Sequence, residues 1–499
     1  MAREVELKLS IPESAQSRFP RQPLLAKAAS RRTVRLVNLY YDTPRLDLMR
    51  RGIALRLRKA EGRWLQTVKL SAPSEGGLTS RPEWETPYGG HFDFSAVDDK
   101  GTRRFLEEQG ARGRLAPIFE TSFRRTTWKV ESAGGVVEVM LDRGWIAAAG
   151  RREPISEVEI EGVAGGMPPI FAVARALARR IPLAPAQRSK AERGYRLFSG
   201  KLPQPQKAEN PAMHGDFTPR RAFRETAFAC LAHLHANRDG AMERDDPEYV
   251  HQVRVAIRRL RAALRLFGPA LPPDLGAALL PELKTMGSLL GGTRDLDVLH
   301  TEIVAPVLAE CPDEPGLAAL DGEITERRFA ARSMTREYLA SAGYGAAMVA
   351  ASERLALLDE ELPDAAGLGD FAGRRLRRLH RRVVALAASA DPADPDALHA
   401  LRIAVKRLRY GLEFFGPMTS RRRLARLATR LAEAQETLGK LNDLANAGRL
   451  LADCAGSDPR LRDAVGIVGE WHRPRHARLL DGVPTLLARL ARMARPRIR

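Results

Sequence analysis

The stretch Glu4-Val5-Glu6-Leu7-Lys8 decides how the first part of the chain reads. Successive side chains of a strand point to opposite faces, so Glu4, Glu6 and Lys8 share one face and Val5 and Leu7 the other. Alone, the pattern fits a half-exposed edge strand. It gains meaning because the device recurs. Arg56 and Arg58 alternate with Leu55 and Leu57, and Lys69 shares parity with Thr67. Arg81, Glu83 and Glu85 align, as do Glu138 and Asp142, and Glu157, Glu159 and Glu161 alternate with Val158 and Ile160.

These alternations predict strands over 4–9, 53–59, 64–70, 81–86, 121–130, 136–142 and 155–161, with Gly, Pro and Ser clusters between some of them. Residues 171–180 read as a helix ended by Pro182. Two architectures fit. In one, the charged faces are the solvated side of an open sheet. In the other, the sheet closes into a barrel with a charged lumen, and helices clad its apolar exterior. Solvated strands usually mix polar types, whereas here Arg56/Arg58 is purely basic and Glu157/Glu159/Glu161 purely acidic. Opposed cations and carboxylates suit a metal-bridged polyanion, because guanidinium and ammonium groups bind phosphate oxygens and carboxylates bind hard divalent cations.

Composition agrees. The 499 residues carry 81 Lys+Arg against 61 Asp+Glu, a net charge of +20, which calls for a polyanionic partner. Nucleic acid is disfavoured: aromatics are only 6%, and no nucleic-acid-binding signature is present. Cys230, Cys311 and Cys454 are isolated, which suits a reducing compartment without structural disulfides. Residues 1–10 are charged and lack the apolar core of a signal peptide, and no apolar run approaches the length of a membrane span. The expectation is a cytoplasmic protein that does not engage a membrane.

The strand motifs together resemble the CYTH, or triphosphate tunnel metalloenzyme, family. Glu4-x-Glu6-x-Lys8 is similar to its ExExK signature. Tyr40-Tyr41-Asp42-Thr43, Leu55-Arg56-Leu57-Arg58, Gln66-Thr67-Val68-Lys69, Arg81-Pro82-Glu83-Trp84-Glu85, Glu138-x-x-x-Asp142-x-Gly144, Glu157-x-Glu159-x-Glu161 and Ser189-Lys190-x-x-Arg193-Gly194-Tyr195 follow in family order. The resemblance covers residues 1–200 and is nearest the bacterial inorganic triphosphatase branch. It implies an eight-stranded antiparallel tunnel that binds triphosphate with Mg²⁺ or Mn²⁺. Carried over, Lys8, Arg56, Arg58, Lys69, Arg125 and Lys190 would hold triphosphate. Glu4, Glu6, Asp142, Glu157 and Glu159 would serve the metal. Glu4, Glu6, Lys8, Glu85 and Glu159 would form the catalytic set, and Glu83, Glu138 and Glu161 could join either role. One departure stands out: Thr127 occupies a position where relatives carry a second basic residue on the Arg125 strand. No nucleophile paired with a base is apparent, in keeping with phosphoryl chemistry done by positioning and charge neutralisation.

Residues 201–215 are Pro-rich and aperiodic and read as a semi-rigid linker. From 216 the chain turns to Ala, Leu and Arg at helical period. A block at 250–261 recurs at 398–409, and another at 290–295 recurs at 438–443, both at an offset of 148, which indicates a duplicated helical unit. In the first copy His251, Arg254, Arg258 and Arg261 fall on one helical face; in the second, His399, Arg402, Lys406 and Arg409 do. A solvated basic face is the plain alternative. The expectation here is that no acid neutralises these cations at i,i+4. Arg374 to Arg382 and Arg421-Arg422-Arg423 add further cations. These blocks resemble the CHAD domain over 216–490, which implies binding of inorganic polyphosphate; 491–499 reads as a basic tail.

The fold expectation is therefore α+β in two domains, an N-terminal eight-stranded antiparallel β tunnel with flanking helices and a C-terminal all-α duplicated bundle. The functional expectation is metal-dependent hydrolysis of inorganic triphosphate to diphosphate and phosphate, tethered to a polyphosphate-binding module, with granule association compatible. Alternatives are a non-catalytic polyphosphate-binding protein, a thiamine triphosphatase or an adenylyl cyclase. Oligomeric state is left open.

Overall fold

The computed structural model describes residues 4–71, 75–359, 367–418 and 421–496. They divide into two compact units, one within Met1–Gln204 plus Tyr338–Leu357 and the other within Pro205–Glu337 plus Leu358–Arg499.

The first unit is built on strands β1 (Glu4–Ser10), β2 (Ser30–Asp42), β3 (Ile53–Ala60), β4 (Arg63–Leu70), β5 (Leu78–Arg81), β6 (Glu83–Pro87), β7 (Ala116–Ser132), β8 (Gly135–Ala148), β9 (Arg151–Ala164) and β10 (Ala184–Pro185). All pairings are antiparallel, in the order β10-β1-β9-β8-β7-β2-β3-β4-β6. The sheet closes on itself because β5 pairs with β1 while β6 pairs with β4, and only Pro82 separates β5 from β6. Proline has no N–H to give the ladder, so one continuous strand changes partner at that point. Counting β5–β6 once and leaving aside the two-residue β10, the tunnel has eight strands.

Tight turns fix its register. Glu61-Gly62, Ala133-Gly134 and Ala149-Gly150 all have positive φ at both residues, the two-residue turn whose twist matches that of the flanking strands. A slip of one residue would turn every charged side chain outward. The exterior is apolar. Val137, Val139, Leu141, Val158 and Ile160 are fully buried, and a helix, Met167–Ala178, packs against β8 and β9 with Ile170, Phe171, Val173 and Leu177 buried. Leu48, Ile53, Leu55, Val68, Phe94 and Leu106 clad the opposite wall. Each such side chain contributes about 1.5–3 kcal/mol, which is what offsets the cost of a lumen full of charge.

Several elements escape the alternation reading. β2 is apolar on both faces (Val34, Leu36 and Tyr40 on one, Val37, Leu39 and Tyr41 on the other), so it shows no period of two. Two helices, Lys100–Ala111 and Lys190–Ser199, also belong to this unit. So does Ala342–Ala356, which sequence periodicity groups with the helical half.

In the second unit, helices Pro247–Phe267 and Pro395–Phe414 are the two copies of the repeat. The duplication reaches their start signals. Asp246 and Asp394 each cap the helix by accepting from the N–H two residues on, and Pro follows in both. Phe267 and Phe415, equivalent in the repeat, meet with ring centroids 5.3 Å apart, and Phe223 and Phe371 complete the cluster. Gln206 in the preceding segment is pinned to Asn237 by two hydrogen bonds of 2.8 and 3.0 Å.

Candidate functional site

The tunnel encloses a cavity of about 530 Å³. Strand register arranges its charges in rows. Glu6, Glu161 and Glu138 lie side by side across β1, β9 and β8. One step along, Lys8, Glu159, Met140 and Thr127 form the next row, and beyond it stand Glu157, Asp142 and Arg125. On the facing wall, Arg56 pairs across strands with Thr67 and Thr67 with Glu85, while Lys69 pairs with Glu83. Glu4 holds the first position of β1, but its side chain and that of Arg81 lie outside the described residues, as do the side chains of Arg421, Arg422 and Arg423.

The acids at the closed end are already neutralised by protein. Oxygens of Asp142, Glu157 and Glu159 lie within 4.8 Å of one another, a hard-ligand set that suits Mg²⁺ or Mn²⁺. The Lys190 ammonium, however, stands among all three: 2.7 Å from Asp142, 3.0 Å from Glu159, and in contact with Glu157. Arg125 grips Asp142 with two bonds of 2.8 and 2.7 Å and also contacts Glu159. Burial would raise the Glu159 carboxyl, but Lys190, Arg125 and Lys8 together hold it well below the usual carboxylate range.

Lys190 is brought there by its helix. Ser189 caps it, accepting from the Glu192 N–H at 3.2 Å while Glu192 accepts from the Ser189 N–H at 2.7 Å. Gly194 allows the close approach: a Cβ would sit 2.2 Å from the Phe119 ring. The Tyr195 hydroxyl donates to Asp42 at 2.9 Å, and Asp42 accepts from the N–H groups of Thr43, Leu48 and Met49. Tyr40, Phe119, Phe123 and Tyr195 form the aromatic floor beneath.

The two open rows differ in sign. Burial, then Glu6 and Glu138, raise the Glu161 carboxyl, so negative charge is in surplus there. Across the lumen, burial, then Arg56 and Arg125, push the Arg58 guanidinium down to about 10. Arg56 is 3.4 Å from Glu83, Arg58 is 3.6 Å from Glu85, and Lys69 also contacts Glu83. Lys8 is 3.4 Å from Glu159. Burial opposes its charge, but Glu159, Glu6 and Glu157 outweigh that and raise it. Thr127 lines the same cavity.

In the second unit the two repeat helices lie together: Arg258 Nε donates to the Tyr410 hydroxyl at 2.7 Å, and Arg259 pairs with Glu413 at 2.6 Å. Arg254 pairs with Asp295 at 2.9 Å, and Arg402 stands 4.0 Å from Asp443, the equivalent acid of the second copy. His399 and Arg402 share the Asn442 side-chain oxygen at 3.0 and 2.9 Å. Arg409 corrects one expectation, since Glu413 neutralises it at i,i+4 with a 2.8 Å bond. Asp295, Asn442 and Tyr410 were not assigned roles from sequence. The first two stand in the repeated blocks, and that placement was the available signal. Burial, then Arg402 and Arg258, push the Lys406 amine down to about 7. Burial also lowers His251 and Arg402. Cations of both copies thus crowd one another.

Comparison with known proteins matches the CYTH domain to residues 2–195 and the CHAD domain to residues 225–452. An inorganic triphosphatase of Haemophilus influenzae is 33% identical over 199 residues. That match covers 40% of this chain and 56% of that protein, so the chain spans little more than half its length. An uncharacterized Mycobacterium tuberculosis protein is 26% identical over 91% of this chain and 90% of its own. The crystal structure of the CHAD domain from the plant Ricinus communis is 31% identical, with TM-score 0.52, covering 59% of this chain and 99% of that one.

Proposed function

We propose, for a chain that carries a CYTH domain followed by a CHAD domain, that the tunnel hydrolyses inorganic triphosphate to diphosphate and phosphate with Mg²⁺ or Mn²⁺, and that the helical unit binds inorganic polyphosphate. The observation that carries this reading is the opposition, within one cavity, of a cationic wall of Arg56, Arg58 and Lys69 to a carboxylate row of Glu6, Glu161 and Glu138. The triphosphatase named among the relatives supports the substrate.

Arg56, Arg58, Lys69 and Lys8 would hold the phosphate oxygens, exchanging their carboxylate partners for substrate. Arg125 and Lys190 are committed to Asp142, Glu157 and Glu159, and would act chiefly by fixing the charge of that end of the lumen. Glu6, Glu161 and Glu138, with Glu159 beside them, are the hard-oxygen groups that would hold a divalent cation. That cation, when bound, would withdraw charge from the transferring phosphoryl group. A carboxylate of the same row would orient the attacking water, in a cavity that Tyr40, Phe123 and Tyr195 also line.

The helical unit's crowded cations await an anion. Burial, then Arg402 and Arg258, lower the Lys406 amine and Asp443 offsets them only in part, so a bound anion would favour its charged form.

A phosphate-release panel on triphosphate, ATP, thiamine triphosphate and long-chain polyphosphate, with Glu6→Ala as control, tests the reading. Preferential turnover of triphosphate, lost in the variant, is expected. Binding of polyphosphate without turnover of any substrate would leave a non-catalytic binding protein.

A further inference from the structure

Strand β1 changes edge partner in the middle of the Glu6–Lys8 segment. Glu4 to Leu7 pair with β5, whereas Leu9 and Ser10 pair with β10. Lys8 stands at the break. Its N–H donates to the Gly77 carbonyl and its carbonyl accepts from the Ala186 N–H, both at 2.9 Å. Gly77 lies so close that a Cβ would sit 2.9 Å from the Lys8 carbonyl oxygen. Partner strands of four and two residues offer few ladder bonds to hold such a junction.

Helix Ala342–Ala356 covers it from outside the tunnel sequence. The Ser352 hydroxyl, completely buried, donates to the Gly76 carbonyl at 2.9 Å. About two helical turns away, Gly345 meets the segment entering β10, where a Cβ would be 1.9 Å from the Leu183 carbonyl oxygen. Glu353 pairs with Arg175 of the Met167–Ala178 helix at 3.1 Å. One face of a single helix therefore grips the turn before β5 and the residue before β10, the two segments between which Lys8 is suspended.

We propose that Ser352 is a positioning residue for Lys8, and that helix Ala342–Ala356 is a working part of the tunnel although it begins 147 residues beyond Tyr195, the end of the last tunnel motif in sequence. The inference rests on the reading of the tunnel as a triphosphate site. Ser352 holds Gly76, Gly76-Gly77 holds the Lys8 N–H, and the Lys8 ammonium is thereby aimed along the lumen rather than allowed to follow a loosened edge.

The test uses the full chain with Ser352→Ala, and Ser352→Thr to restore a hydroxyl. Two readouts are taken: amide hydrogen exchange at Lys8 and Ala186, and steady-state triphosphate hydrolysis. Ser352→Ala is expected to speed exchange at both amides. It should also raise KM about fivefold, the scale of one lost hydrogen bond, with kcat nearly kept. Ser352→Thr should return both toward the parent values. Unchanged exchange and KM in Ser352→Ala would overturn the proposal, as would a fall in kcat alone. If Ser352→Ala does not fold, Glu353→Gln, which loosens the same helix at a partly exposed ion pair, is read the same way. A parent chain that leaves triphosphate intact defeats the substrate reading, while the exchange arm still decides the role of Ser352.

Discussion

The Lys190 ammonium lies 2.7 Å from the Asp142 carboxylate, and Asp142 is fully buried. A helix that follows the barrel thus delivers the cation for an acid trio carried by two barrel strands. Removing that cation leaves three buried carboxylates with Arg125 on Asp142 and Glu159, Arg193 3.5 Å from Glu157 and Lys8 3.4 Å from Glu159. Lys190→Met is expected to cost about 3–5 kcal/mol in denaturant unfolding. Added Mg²⁺ should recover part of the loss, because it suits the vacated oxygens. Unchanged stability would show that Lys190 is not what neutralises the trio.

Gly194 sets how deeply this helix sits. Gly194→Ala puts a methyl group 2.2 Å from the Phe119 ring, which can yield only by disturbing its stack on Tyr40, 4.4 Å between centroids. Overpacking of this kind costs about 1–3 kcal/mol. Triphosphate turnover should fall with stability, since Lys190 and the aromatic floor move together. A thermal midpoint equal to the parent's would contradict this packing.

Much of the tunnel was legible because alternation is a direct print of strand geometry: Arg56/Arg58, Lys69 and Glu157/Glu159/Glu161 each carry parity in the sequence. What stayed hidden was whatever parity does not encode. β2, apolar on both faces, shows no period. The Lys190 contact depends on a helix folding back into the barrel, and parity alone does not show that Arg125 lies against Asp142. The offset of 148 revealed the duplicated helices, but not that Arg254–Asp295 and Arg402–Asp443 are one contact made twice. Helix Ala342–Ala356 carries an ordinary helical period, and nothing local marks it as part of the tunnel unit.

Lys406 gives the helical unit a pH dependence. Burial and the neighbouring Arg402 and Arg258 bring its amine to about 7, so it loses its proton as pH rises through that value. A polyanion favours the protonated form, so binding takes up a proton above about pH 7. Polyphosphate affinity should therefore be greatest below about 7 and decline above it. For the unliganded chain the sign reverses. The unfolded state binds more protons between about 7 and the ordinary lysine value of 10.5, so this group's contribution to stability rises with pH across that window. Calorimetric titration of polyphosphate at several pH values, with Lys406→Met flattening the profile, checks the first statement. A parent profile as flat as the variant's would contradict it.

If carboxylates of one tunnel wall and cations of the other act on triphosphate through a divalent cation, the initial rate of phosphate release from inorganic triphosphate by metal-free full-length protein must change on addition of Mg²⁺ or Mn²⁺. Negligible release is expected without metal, rapid release with it, and loss of that release in both Glu6→Ala and Arg56→Ala. Release that proceeds undiminished in the metal-free protein, or that survives in Glu6→Ala, would contradict it.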